Sequence, residues 1–197
     1  MKYLSETALR ASALGLALMA TTAGAALAEK SVTIGLTADP SHLYPLAGEE
    51  LSSNIMYYHL YDPLVKRSAD LSFGPGLAES WENVDDTTWR FKLREGVVFH
   101  DGEPFTSEDV EFSMDKFLRE SHSRMRTYME HVESIETPDD HTVVFNLKQP
   151  FGPFIGIFEP GTAPMIPKHI YEGTDFANNE ANNTPIGTGP FKFDKWE

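Results

Sequence analysis

The sequence predicts a mixed α/β fold (α+β, with a mixed sheet built from antiparallel hairpins), on three observations. Two stretches alternate apolar and polar residues at the two-residue period of a half-buried strand, "TTWRFKL" (87–93) and "HTVVFNL" (141–147). Each follows an acidic turn, Asp85-Asp86 and Asp139-Asp140, which is hairpin chemistry. Two other stretches, within 51–64 and 106–118, space their apolar residues three and four apart, as a helix requires. No internal repeat, heptad series or low-complexity tract interrupts this pattern.

Taken in order, "SVTIGLT" (31–37) alternates and is β-branched, which predicts a strand. "ADPSHLYPLAGEE" (38–50) is a loop punctuated by Pro40, Pro45 and Gly48. Residues 51–64 read as a helix with Ser52 or Ser53 as N-cap, Ile55, Tyr58 and Leu60 as its apolar side, and Pro63 as its stop. After the turn-rich "ADLSFGPG" (69–76), residues 77–96 form a hairpin with one buried face. Trp81 and Val84 lie on its first arm, and Trp89, Phe91 and Leu93 on its second. "ESIE" (133–136) is the expected partner of 141–148, whereas "PFGPFIGIFEP" (150–160) is apolar but too broken by Gly and Pro for a long helix. Residues 163–173 read as a strand and then a short helix beginning near Pro167, and "GTGPFKFDKWE" (187–197) reads as the start of another strand.

The first 28 residues carry Lys2 and Arg10, then an apolar stretch from about Ala11 to Ala26, then the small-residue triplet Ala26-Leu27-Ala28 ahead of Glu29. That is the layout of a cleavable secretory signal peptide, with Glu6 a mild departure from it. The expected division is therefore a signal peptide over 1–28 and a mature lobe over 29–197. The chain has no cysteine, which excludes disulfide staples, thiolate chemistry and a lipid anchor on a cysteine next to the cleavage site. Periplasmic localisation follows as the expectation. Removing Lys2, Arg10 and Glu6 from the 16 basic and 30 acidic residues leaves 14 and 29, a charge of −15 with histidine neutral. A chain this acidic repels phosphate backbones and anionic headgroups, so nucleic acid and membrane surfaces are poor partners.

The densest chemistry is "VVFHDGEPFTSEDVEF" (97–112), where His100, Asp101, Glu103, Glu108 and Asp109 crowd together. Each acid has a local structural reason. Asp101 and Gly102 are turn formers, and Pro104 keeps Glu103 out of the helical region. Thr106 and Asp109 have capping-box spacing, and Phe105 and Val110 that of a hydrophobic staple. Glu108, Asp109 and Glu111 favour the positive end of the helix dipole. Val110, Met114, Phe117 and Leu118 then form its apolar face. His-Glu-x-x-His, His-x-His and Gly-x-Ser-x-Gly patterns are absent, the other histidines are scattered, and "GPGLAES" and "PIGTGP" lack the Lys of a phosphate loop. The reading is no catalytic residue, no metal and no cofactor. An exported metal-dependent hydrolase using His100, Asp101 and the nearby acids is the competing class.

With these residues assembled, the chain resembles solute-binding protein family 5, the dipeptide-, oligopeptide- and nickel-binding periplasmic components of ABC importers. The resemblance runs through "LYPLAGEELSSNIMYYHLYDPLV", "GLAESWENVDDTTWRFKLREGVVFHDGEPFTSEDVEFSMDKF", "VESIETPDDHTVVFNLKQPFGPF" and "NTPIGTGPFKFDKWE". It implies an incomplete class II periplasmic-binding-protein fold, an N-terminal lobe whose second lobe is absent, and hence a fragment or truncated product. It also implies capture of peptides and delivery to the transmembrane permease, without catalysis and as a monomer. A nickel complex, an opine or a sugar is the alternative ligand, and a sensory or chaperone-like role on the same fold is not separable by sequence. The resemblance places Gly48, Glu49, Glu50, Tyr128, Gly161 and Thr162 on the ligand side. It puts the anchors for peptide charges largely in the second lobe, so the fragment alone is expected to bind weakly or not at all.

Overall fold

The computed structural model describes residues 32–40, 43, 51–158 and 161–196. The chain divides into two units, Met1–Gly35 and Leu36–Glu197. In the first, residues 32–35 form no strand, although the alternating sequence predicts one. Alternation makes a segment competent to pair but does not supply the partner. None of the strand pairings among the described residues includes it.

The second unit begins its regular structure with helix α1 (Leu51–Leu60). Its buried side is Ser52, Ser53, Tyr57 and Leu60, continued by Tyr61, while Tyr58 is 52% exposed. The predicted apolar side is thus out of phase for Tyr58, because the face that turns inward is the one carrying Ser53, Tyr57 and Leu60, and Ser52 and Ser53 are buried within the helix rather than capping it. A short hairpin of β1 (Val65–Arg67) and β2 (Phe73–Pro75) follows, where the sequence showed only turn signals. The main sheet has four antiparallel strands in the order β3 (Ala78–Asp85), β4 (Thr88–Leu93), β6 (Thr142–Leu147), β5 (Val132–Asp139). The two predicted hairpins therefore sit side by side through β4 and β6, with Phe91 opposite Val143 and Trp89 opposite Phe145.

One face of that sheet is polar and carries cross-strand pairs, Arg90 to Glu82 and Lys92 to Glu79, each at 2.6 Å. Val84, expected on the buried face, is 46% exposed, because β3 slips register between Asn83 and Asp85 at the turn. The other face buries Phe91, Leu93, Val143, Phe145 and Leu147. Over it lies a 3₁₀ segment, Gly152–Phe158, the form taken by the apolar stretch too broken for a long helix. Phe91, Phe145, Phe154 and Phe158 meet edge to face, with centroids 5.0–5.5 Å apart where they touch, in the geometry that aromatic quadrupoles favour.

Between the two hairpins runs a helical rod that changes pitch: α2 (Ser107–Glu111), a π-helical segment Phe112–Leu118, and α3 (Arg119–Ser121). The predicted face of Val110, Met114, Phe117 and Leu118 is completely buried. The wider π turn also buries Ser113, whose hydroxyl takes the Ile166 N–H at 2.8 Å and lies 3.2 Å from the Ile166 carbonyl. Helix α4 (Ser123–Met129) starts at His122, whose Nδ1 accepts the Met125 N–H. Residues 163–167 form no strand, since their backbone is spent on Ser113 and on the Asp62 carbonyl. The short helix α5 (Lys168–Tyr171) does follow Pro167. Residues 187–196 likewise form no strand, and instead cap the end of α1.

Candidate functional site

The acid-rich stretch at 97–112 folds as a turn and a helix start. Phe99 N–H donates to the Glu103 carbonyl and Gly102 N–H to the Phe99 carbonyl, with Gly102 at φ +99°, which a residue with a Cβ rarely adopts. The Asp101 carboxylate accepts the Glu103 N–H at 3.2 Å. One helical step on, Asp109 Oδ2 accepts both the N–H (2.9 Å) and the hydroxyl (3.2 Å) of Thr106, so the N3 acid reaches back to the N-cap. Its other oxygen accepts the Lys168 N–H at 3.0 Å, which ties α2 to the start of α5. Phe105 and Val110, the expected staple, are both buried in the core.

Two of these acids have opposite electrostatics. Burial raises the Asp109 carboxyl above its ordinary range, and the hydrogen bonds from Lys168 and Thr106 only partly offset it. Burial also pushes Asp101 up, but the bond from His169 and the Glu103 N–H outweigh it and hold that carboxyl below its ordinary value. His169 Nε2 lies 2.9 Å from Asp101 Oδ2, a partner 68 residues away that local spacing could not reveal. Lys168 pairs with Glu108 at 2.8 Å. These charges are therefore committed to one another. Among the described residues no group of three or more His, Asp or Glu side chains is placed to hold a metal ion.

His100 does not join this set. Its ring faces the backbone of residues 187–189, with Nε2 2.9 Å from the Gly189 carbonyl oxygen and Nδ1 3.3 Å from the Gly187 nitrogen. The pair His100 and Asp101, adjacent in sequence, thus serves two different contacts.

The residues expected on the ligand side separate into three groups. Gly48, Glu49 and Glu50 lie outside the described residues. Tyr128, on α4, is half-buried, and its ring packs on Phe151 at 6.4 Å; His131 stacks flat on the same Phe151 at 4.2 Å and 7°. Gly161 and Thr162 are half-buried and lead into the fully buried Ala163. Gly161 lies under the exposed Tyr58 of α1: a Cβ added there would come within 3.2 Å of the Tyr58 hydroxyl. Tyr58, Phe151 and His131 are the side chains that sequence reasoning did not single out beside these positions. The signal for Tyr58 was the helix phase set by Ser53, Tyr57 and Leu60; Phe151 and His131 gave none, because their stacking joins the ends of separate elements.

The described residues thus build a four-stranded antiparallel sheet flanked by a helical rod, with Tyr128 and Gly161–Thr162 in separate half-buried places. The chain belongs to the bacterial extracellular solute-binding proteins, family 5, whose middle region matches residues 72–197. It is 34% identical over 175 residues to Protein XP55 of Streptomyces lividans, covering 88% of this chain and 31% of that protein. The fold of the oligopeptide-binding protein AppA from Bacillus subtilis, solved with a nonapeptide, superposes with a TM-score of 0.70 or better, namely 0.72. The identity there is 34%, over 83% of this chain and 33% of that one. NikZ from Campylobacter jejuni, solved with Ni(L-His), gives 0.70 at 28% identity, over 81% of this chain and 32% of NikZ. The chain spans about a third of the length of these relatives. The neighbours are class II periplasmic binding proteins, and no helix among the described residues is long and apolar enough to cross a membrane.

Proposed function

We propose that this chain is the N-terminal lobe of a periplasmic substrate-binding component of an ABC importer, one that captures peptides and passes them to the membrane permease without chemical change. The observation that carries this reading is the likeness to AppA, a peptide-bound relative, over 83% of the chain. The half-buried rings of Tyr128 and Phe151, the bare backbone of Gly161 and the hydroxyl of Thr162 support it as the kinds of group that small-ligand clefts use. In this reading residues 1–28 direct export and are removed, no lipid anchor is attached, and the protein works as a monomer. Gly48, Glu49 and Glu50 border the cleft, Glu49 or Glu50 and Tyr128 contact the ligand, and Gly161 and Thr162 supply backbone or hydroxyl contacts. Tyr58 joins them through its contact with Gly161.

A nickel complex is the second reading, favoured by the likeness to NikZ. Calorimetric titration of a full-length relative carrying Glu49→Ala, Glu50→Ala or Tyr128→Ala at the matching positions tests the site. Weakened peptide affinity in Tyr128→Ala and in one of the two glutamate variants is expected, and unchanged affinity in all three sinks the assignment. Heat with Ni–histidine and none with peptides would replace the peptide reading by the nickel one.

A further inference from the structure

The segment 187–191 is held by backbone contacts and by the ring of His100. Its backbone caps the C-terminal end of α1: Gly189 N–H donates to the Leu60 carbonyl at 3.0 Å and Phe191 N–H to the His59 carbonyl at 3.1 Å. These are carbonyls that a helix end leaves without an intrahelical partner. The approach is so close that a Cβ on Gly187 would stand 2.1 Å from the Leu60 oxygen, and one on Gly189 2.5 Å from the His59 oxygen. His100 grips the same segment from the other side. Its N–H donates to the Gly187 carbonyl at 2.9 Å, and its own carbonyl accepts the Lys192 ammonium at 2.7 Å.

The imidazole contacts set the tautomer. A carbonyl oxygen only accepts and a backbone N–H only donates, so Nε2 must carry the hydrogen towards Gly189 and Nδ1 must present its lone pair to Gly187. An imidazolium carries a hydrogen on both nitrogens and would set Nδ1–H against the Gly187 N–H. We propose that His100 is a pH-responsive latch: neutral, with its hydrogen on Nε2, it clamps Gly187 and Gly189 beside the backbone bonds that seat the segment on α1, and protonation breaks the Gly187 half of that clamp and loosens the segment.

The other titratable groups on the elements that meet at this point behave differently. On α1, His59 has Nδ1 2.7 Å from the Ile55 carbonyl, a contact that a proton leaves intact. In the turn, Asp101 is engaged with His169 of α5, and Glu103 is exposed. Lys168 of α5 pairs with Glu108, and Lys192 of the segment itself contacts the backbone oxygen of His100. Among the described residues His122 shares the acceptor geometry, towards Met125, and it sits at the start of α4. The hydroxyl of Thr188, in the middle of the segment, is buried without a hydrogen-bond partner, so release also rehydrates that group.

The test is nitrogen-15 NMR of the chain across the range in which histidine changes charge, about pH 8 to about pH 5. The expected result is the Nε2–H tautomer for His100 at the upper end. The amide signals of Gly187, Gly189 and Phe191 should then move along the same titration as the His100 ring. Exchange protection at Gly189 and Phe191, corrected for the intrinsic pH effect, should drop about tenfold or more at the acid end. In His100→Gln, whose side-chain amide can still donate to Gly189 but does not titrate, those amides should lose their pH response. An Nδ1–H tautomer, amides that ignore the His100 titration, or an unchanged response in His100→Gln would each overturn the proposal. Should His100→Gln not fold, the tautomer and the shared titration in the unsubstituted chain decide it alone.

Discussion

At the scale of single residues, Asp109 shows how one carboxylate can hold two elements. It caps α2 through Thr106 and takes the Lys168 N–H that opens α5. Replacing it by alanine removes the cap and takes the acceptor from the part-buried N–H groups of Thr106 and Lys168, at a cost of about 1–3 kcal/mol. The pH dependence has a definite sign. Because its carboxyl lies above its ordinary range in the folded chain, the stability it contributes is full at low pH and fades as pH rises through the raised value. Urea denaturation of Asp109→Ala and the unsubstituted chain should therefore show a larger gap near pH 4 than near pH 8, each to be read from the midpoint. A gap that widens with pH would mean that the ionised form is the one the fold favours. Asp101, held low by His169, has the opposite sign, and its contribution is lost as pH falls.

At the scale of elements, the hairpins and the capped helix were legible because their signals are local. Alternation in "TWRFKL" and "TVVFNL", and Thr106 with Asp109 three residues on, need only a few neighbours to be read. What was misread depended on a partner elsewhere. The strands expected at 31–37, 163–167 and 187–197 do not form among the described residues, since backbone groups go to whichever partner is nearest. The buried face of α1 carries Ser53, Tyr57 and Leu60, which leaves Tyr58 outside it. The sheet and its 3₁₀ cover depend on Phe91, fully buried against Phe145 and Phe158. Phe91→Ala should cost about 3–5 kcal/mol in chemical denaturation, by lost burial and the cavity left behind. A cost under about 1 kcal/mol would show that the aromatic cluster collapses freely around the gap.

At the scale of the whole molecule, about a third of the length of the relatives is present. If the peptide-charge anchors lie in a second lobe, the 197-residue chain should give no heat in calorimetric titration with dipeptides or a nonapeptide. Clear micromolar binding would show instead that this lobe holds the ligand by itself. The latch at His100 belongs to this scale too, because it joins residue 100 to residues 187–192 at the end of the first helix.

By itself the sequence determined the family, the two hairpins, the capped helix and the structural role of the acids at 97–112. All of these are written in spacings of two to four residues or in a contiguous motif. Only the tertiary structure decided which histidine meets which acid, that Tyr58 rather than Tyr57 faces outward over Gly161, and that the glycines of "GTGP" close on a helix end. Those contacts join residues 68 to 130 positions apart. Local periodicity carries no information about them, because they exist only once the chain has closed and the backbone groups of one element meet those of another.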